Sequence, residues 1–264
     1  MLGRWAVVAA LTLSGIPAAS AADPKDPLAL ARGFYNQGLY GPAITAADEA
    51  KKTSGRASSA DLIVARAYLE RYRATASTDD LSHARERLRQ IDPVRFTANE
   101  RLEFLVGLGE TLYFDESSGA AAVVFASALA GPSELPLPAR ELVLDWWASA
   151  LDRDAQPRPD IERQGVYQHI RDRMAMELAA SPGSAAAAYW LAAAARGQGD
   201  LQAAWDAAQA GWVRAALAGE RATRLRRDLD HLVTIAMVPE RARVLAQTPE
   251  TLAAEWERFK EKWQ

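Results

Sequence analysis

The segment LGETLYFDESSGAAAVVFASA, residues 108–128, contains the spacing that decides the fold. A large residue followed by a small one opens it, and a small residue returns twelve positions after the first small one. Residues 30–50, LARGFYNQGLYGPAITAADEA, and residues 191–211, LAAAARGQGDLQAAWDAAQAG, repeat the same spacing. Small residues at paired positions let two backbones approach closely, so each copy predicts two antiparallel helices pressed together.

Each copy has a turn signal between its two predicted helices. The signals contain Gly38 in the first copy, Gly119 in the second, and Gly197 and Gly199 in the third. Glycine lets the chain reverse without strain between helices. The three segments therefore predict three helical hairpins.

This spacing resembles the tetratricopeptide repeat (TPR) consensus of Leu-Gly-x2-Tyr followed by Ala and Phe. The resemblance implies an all-α fold, a right-handed α-solenoid of about five TPR-like hairpins in one domain, residues 22–264. We expect helix pairs at 24–56, 57–94, 97–133, 137–182 and 184–218, then capping helices within 219–264. The last helix places Leu252, Trp256, Phe259 and Trp263 on one face, which is typical of a terminal cap; a membrane- or partner-binding amphipathic helix is the alternative.

The first residues have the three parts of a secretory signal peptide. Arg4 is followed by an apolar run from Trp5 to Ile16 and by the small-residue site Ala19-Ser20-Ala21. We expect a Sec-type signal over residues 1–21, cleaved near Ala21, and a periplasmic or secreted mature protein. Since no second long apolar run follows, no stable membrane insertion is expected after cleavage.

Composition excludes several classes of site. The chain has no cysteine, which removes disulfides, thiolate nucleophiles and thiolate metal sites. With 31 basic and 34 acidic residues it lacks the basic surplus of a nucleic-acid-binding protein.

No convergent chemistry is visible in the sequence. His83, His169 and His231 fall in separate predicted repeats, so we expect no metal, no cofactor and no catalytic residue. Glu116-Ser117 is similar to the catalytic dipeptide of soluble lytic transglycosylases, but it falls at a predicted turn and the rest of that motif is missing. Among the arginines of residues 221–227, Arg224 lies four positions from Glu220 and Asp228, and Arg226 lies four positions from Asp230. These spacings favour surface ion pairs over an anion site.

The TPR resemblance implies a concave groove, lined by the first helix of each pair, that holds a peptide or partner protein. Its expected partner-binding residues are Arg32, Tyr35, Arg66, Glu70, Glu110, Tyr113, Tyr189 and Arg196. Tyrosine and arginine are frequent anchors at protein interfaces.

The sequence therefore favours a non-enzymatic interaction scaffold or adaptor of the cell envelope. A soluble glycan- or small-molecule-binding module is the alternative, using Trp146 and Trp190 if these are exposed. An envelope hydrolase is a remote alternative, because it requires a catalytic set that the motifs do not supply.

Overall fold

The computed structural model describes residues 26–53, 55–130 and 135–263. Within these ranges every regular element is helical, which confirms the all-α prediction. The predicted signal peptide, residues 1–21, and its cleavage site lie outside the described residues.

The described chain divides into two compact units, and the boundary falls between Trp147 and Ala148, within helix α7. The elements up to that point are α1 (Pro27–Asn36), α2 (Tyr40–Lys51), α3 (Ala57–Thr75), α4 (Thr78–Gln90), a 3-10 turn (Pro93–Arg95), α5 (Ala98–Phe114), α6 (Ser118–Leu129) and α7 (Leu137–Ala155). Those that follow are α8 (Asp160–Ala180), α9 (Ala185–Gly197), α10 (Leu201–Arg214), a 3-10 stretch (Ala215–Arg221), α11 (Ala222–His231), a π-helical stretch (Leu232–Met237), α12 (Val238–Leu245) and α13 (Pro249–Lys262).

Local sequence explains several helix starts. Asp26 accepts a hydrogen bond from the Leu28 amide at 3.0 Å, and Pro27 stands in the first turn of α1. Thr97 and Glu100 form a reciprocal capping box at α5. At α4 the N-cap is Ser77, and its side chain makes no capping hydrogen bond.

In the first unit each helix packs on its neighbour in sequence from α1 to α6. Beyond these neighbours, α3 also contacts both α1 and α5. Three helices that open successive hairpins therefore lie side by side. This arrangement brings polar residues of α1, α3 and α5 onto one face.

In the second unit α9 packs between α8 and α10, and α11 packs on both α9 and α10. The sequence predicts one helix near residues 219–236, but the backbone kinks at Gly219 (φ 58°) and α11 begins only at Ala222. The π-helical stretch then runs directly into α12, so Pro239 lies in a first helical turn rather than after a break. The predicted cap helix α13 buries Leu252 and Trp256 but leaves Trp263 exposed.

The small residues of the repeated spacing lie at close helix contacts. Ala31 and Ala192, the small residues after the first leucine, are fully buried, and Gly109 is buried at the same place in α5. Twelve positions later Ala43, Ala121 and Ala204 are also fully buried. The leading leucines contribute less to these helix contacts, because Leu30 remains 45% exposed. The close approach of the two helices therefore depends on the small residues.

Gly109→Leu should destabilise the first unit by about 1–3 kcal/mol through overpacking. A Cβ on Gly109 would lie 2.5 Å from Cε1 of Phe125, which is itself fully buried on α6. Thermal unfolding of this variant is compared with that of Ser117→Leu in the adjacent exposed turn. Equal melting temperatures for the two variants would contradict close helix pairing at Gly109.

The three hairpin turns share one backbone conformation. Gly38, Glu116 and Gly199 occupy the same place in the three copies, and all have positive φ, at 74°, 61° and 84°. In each turn the next amide donates to a carbonyl five residues back, Leu39 to Phe34, Ser117 to Leu112 and Asp200 to Ala195, at 2.9–3.0 Å. This is the hydrogen bond of a Schellman helix end, and glycine is the residue it favours.

Glu116→Gly should stabilise the protein by about 0.5–1 kcal/mol, because a side chain in the left-handed region is strained. The opposite change at the equivalent turn, Gly199→Ala, should destabilise by about 1 kcal/mol from conformation alone. No atom lies within 4 Å of a Cβ added there. Urea unfolding curves measure both; a loss of stability in Glu116→Gly would show that the turn needs the glutamate.

Candidate functional site

The residues predicted for a binding groove lie on the helices that open the hairpins. Those in the first unit are Arg32 and Tyr35 on α1, Arg66 and Glu70 on α3, and Glu110 and Tyr113 on α5. The side chain of Arg32 is 42% exposed, whereas the other five residues are buried. The sequence predicts an accessible row of anchors, but the structure shows a packed polar face.

Six side chains on this face form what we call the Glu110 cluster. Its members are Tyr35 of α1, Arg66, Glu70 and Arg73 of α3, and Glu103 and Glu110 of α5. The α3 members are spaced by four and three residues and the α5 members by seven, so each set lies on one helix face. The packing of α3 against α1 and α5 then brings the sets together.

Arg66 occupies one side of the cluster and is matched in charge. Its Nη1 lies 3.1 Å from Oε2 of Glu103, and its guanidinium carbon lies 4.7 Å from the centre of the Tyr35 ring. Asn99 donates to the other Glu103 oxygen at 2.8 Å. A small cavity adjoins the Arg66–Glu103 pair and is otherwise lined mainly by apolar side chains of α5 and α7.

Arg73 faces two carboxyl groups but forms hydrogen bonds with only one of them. Its Nη1 donates to both oxygens of Glu70 at 2.9 Å, and the Tyr35 hydroxyl donates weakly to Glu70 at 3.5 Å. The same Nη1 is 4.0 Å from Oε1 of Glu110, too far for a hydrogen bond. Among the described residues, the buried Oε1 of Glu110 has no hydrogen-bond partner.

This imbalance sets the protonation of Glu110. Burial raises its pKa to about 8; Arg73 and Arg66 oppose the shift, and the neighbouring Glu70 adds to it. Burial also raises the pKa of Glu70, against the charges of Arg73 and Arg66. At neutral pH Glu110 therefore holds its proton.

Glu100, on the same helix, shows the opposite outcome. Arg32 donates to its Oε1 at 2.7 Å, Ser59 donates at 2.8 Å, and the Thr97 amide donates to Oε2 at 3.1 Å. Burial acts to raise the pKa of Glu100, but these donors outweigh it and hold the pKa below its usual range. A buried glutamate on α5 is thus ionised where donors surround it and protonated where they do not.

The other predicted residues of this unit have different surroundings. Arg32 pairs with Glu100 across 68 residues of sequence and borders the face. Tyr113 points into the hairpin core, with its ring 5.7 Å from Phe114 and 6.4 Å from Phe125.

Tyr189 and Arg196 belong to the second unit. Tyr189 is partly buried and its ring lies 5.5 Å from Trp190, edge to face. The Nε of Arg196 donates to Glu240 of α12 at 2.9 Å. Arg196 lines an open cleft together with Arg163 and Arg243, but its own charge is matched by Glu240.

The glycan-binding alternative requires Trp146 and Trp190 to be exposed, and both are buried. They are only 7% and 6% exposed. Trp146 stacks on Phe125 at 5.8 Å and lies under the guanidinium of Arg73 at 5.2 Å. These indoles are packing residues, so they offer no open surface for a sugar ring.

Sequence reasoning missed Arg73 and Glu103 as parts of the site. The α-helical period was the available signal, because Arg73 follows Glu70 by three residues and Glu103 precedes Glu110 by seven. The contact between Arg73 and Trp146 joins segments far apart in sequence, and no local pattern indicates it.

No cluster of three or more His, Asp or Glu side chains in the described part of the chain is arranged to hold a metal ion. The expected pair Arg224–Asp228 forms at 3.6 Å, but Asp230 is bound by Lys260 and Trp256 instead of Arg226. Of the helices described above, none combines the length and hydrophobicity needed to cross a membrane.

Comparison with known proteins finds no family model that matches the chain and no significant match among curated proteins or solved structures.

Proposed function

We propose that the chain is a right-handed α-solenoid of TPR-like hairpins that acts as a non-enzymatic interaction scaffold, binding a partner protein or peptide on the face formed by α1, α3 and α5. The contacts of α3 with both α1 and α5 support this architecture, since the first helices of successive hairpins adjoin one another in a solenoid. The common turn of Gly38, Glu116 and Gly199 supports three equivalent hairpins.

One observation carries the binding proposal. The face shared by α1, α3 and α5 buries charged and hydroxyl-bearing side chains in the Glu110 cluster, where apolar residues would be more stabilising. A buried carboxyl oxygen without a donor costs free energy in the isolated protein. A partner that donates a hydrogen bond to this oxygen would offset that cost in the complex.

The raised pKa of Glu110 would also suit a general acid, which is the role that a hydrolase would need. The charged groups facing Glu110 are Arg66, Glu70 and Arg73, and Glu70 is held by Arg73 and Tyr35. None of these is positioned as a nucleophile with its own base. Binding therefore explains the cluster better than catalysis.

The signal-like segment of residues 1–21 favours action in the cell envelope, either in the periplasm or after secretion. N-terminal sequencing of the protein recovered from the periplasm of a bacterial host tests this part. Processing near Ala21 supports export, and recovery with Met1 intact in the cytoplasm contradicts it.

Selection of a displayed peptide library on the purified protein tests the scaffold proposal. Arg32→Glu reverses the charge at the exposed border of the face, so the affinity of the selected peptides should change at least tenfold in this variant. Val123→Glu is the matched control, because Val123 is 68% exposed on α6, the second helix of its hairpin. Equal effects of the two substitutions, or no selectable peptide, contradict the proposed face.

A further inference from the structure

The charge balance of the Glu110 cluster is uneven. Among the described residues it holds two cations, Arg66 and Arg73, and three carboxyl groups, Glu70, Glu103 and Glu110. Arg66 is matched by Glu103 and Arg73 by Glu70, at 3.1 Å and 2.9 Å. Glu110 is left as the carboxyl without a cation of its own.

The charged groups that act on Glu110 are Arg73, Glu70 and Arg66, all on α3. Tyr35 comes from α1. Helix α7 lines the cavity beside Arg66 and Glu103, and its charged residues Arg140, Glu141 and Asp145 have interactions of their own. The residues of α6 (Ser118–Leu129) include no titratable group. On α4, which also packs on α5, the groups Asp80, Arg85 and Arg87 pair with Arg71, Asp115 and Asp61.

The geometry points to Glu110 as the binding site for a basic side chain of the partner, a lysine ammonium or an arginine guanidinium, which enters beside Arg73 and displaces a proton. This inference rests on the proposed function, since the basic group belongs to the partner bound on the same face. It identifies the partner as one that presents a cation to the Glu110 cluster.

Two observations and one chemical argument support this site and its ligand class. The unpartnered Oε1 of Glu110 is an acceptor and requires a donor. A cation brings both a donor and the missing positive charge, whereas a neutral donor brings only the first. Arg73 is the most exposed charged member of the cluster, with 14% of its side chain accessible, so entry is easiest on its side.

The exchange is balanced in charge. The carboxylic acid of Glu110 releases its proton to solvent as the cation binds, and the ionised carboxylate then pairs with that cation. Because burial raises the pKa of Glu110 to about 8, the apparent affinity for a cation should fall as pH falls below that value. The expected loss is roughly 25-fold between pH 8.5 and pH 6.5.

The test uses N-acetyl-lysine N-methylamide as the probe and its uncharged norleucine analogue as the control ligand. Binding to the full mature protein is followed by NMR at pH 6.5, 7.5 and 8.5. The lysine probe should bind more tightly as pH rises and the norleucine analogue should not bind. Glu110→Gln should lose both the binding and its pH dependence, whereas Glu49→Gln, on an exposed part of α2, should retain both.

The outcomes separate this inference from the scaffold proposal. Absence of lysine-probe binding, or binding that Glu110→Gln leaves unchanged, overturns the cation site. If selected peptides still bind the α1, α3 and α5 face in that case, the scaffold proposal stands without it. If the lysine probe binds through Glu110 but no peptide is selected, the cation site stands and the scaffold proposal falls. A folded Glu110→Gln protein is verified by its amide NMR spectrum before either comparison.

Discussion

Replacing Trp256 by alanine lowers the free energy of unfolding of the second unit by about 3–5 kcal/mol, the usual range for a fully buried tryptophan. Trp256 has no exposed surface and packs its ring 5.8 Å from Trp205, 5.6 Å from Trp212 and 5.6 Å from Phe259. Its indole Nε1 also donates to Asp230 of α11 at 2.8 Å. The substitution therefore opens a cavity and removes one of the two hydrogen bonds from α13 to Asp230 of α11.

Trp263 provides a matched control, because it is the same residue type immediately after α13 and is 47% exposed. Trp263→Ala should change stability by less than about 0.5 kcal/mol. Urea unfolding followed by circular dichroism measures both variants. Similar losses in the two variants would contradict the role of α13 as a cap that is anchored by Trp256.

Replacing Glu110 by glutamine should make stability less dependent on pH. The folded protein holds a proton on Glu110 up to a pKa of about 8, whereas the unfolded chain releases it near 4.5. Between these values folding takes up a proton, so this group makes the folded state less stable as pH rises, by about 1.4 kcal/mol per pH unit at most. Glutamine resembles the protonated carboxyl group and does not titrate.

Unfolding free energies of wild type and Glu110→Gln at pH 5, 6.5, 8 and 9 measure this effect. The stability of wild type relative to the variant should fall by a few kcal/mol from pH 5 to pH 8 and level off above it. Glu86→Gln is the control, since Glu86 is largely exposed on α4, and its curve should run parallel to that of wild type. Parallel curves for Glu110→Gln as well would mean that Glu110 is ionised at neutral pH.

The sequence predicted the helical hairpins because their determinants are local. The small residues Ala31, Gly109 and Ala192 follow the spacing that close helix contact requires, and the structure buries all three. The shared turn could be predicted at Gly38 and Gly199, because glycine favours the left-handed conformation. It could not be predicted at Glu116, which adopts the same conformation.

The C-terminal region was predicted less well for an equally physical reason. The kink at Gly219 and the π-helical stretch from Leu232 interrupt a helical pattern that composition alone extends. Asp230 has Arg226 four residues before it, but tertiary packing brings Lys260 and Trp256 within reach and these bind it instead. Helical spacing indicates which residues of one helix can form a pair, and tertiary packing determines which of these pairs form.

The candidate site was likewise predicted in its local features and missed in its tertiary ones. Helical position and the repeat register selected Tyr35, Arg66, Glu70 and Glu110, which do meet in one cluster. Their burial could not be read from the sequence, because it depends on how α3 packs against α1 and α5. The unmatched carboxyl of Glu110 is a property of the assembled cluster and of no single helix.

A carbon-13 NMR titration of the Glu110 side-chain carboxyl group tests most directly whether α1, α3 and α5 form a buried face with one unmatched carboxyl. The resonance, assigned by its absence in Glu110→Gln, should titrate with a pKa of about 8. A pKa near the ordinary value of 4.5 would mean that Glu110 is solvated or paired, and would contradict both the cluster and the cation site built on it.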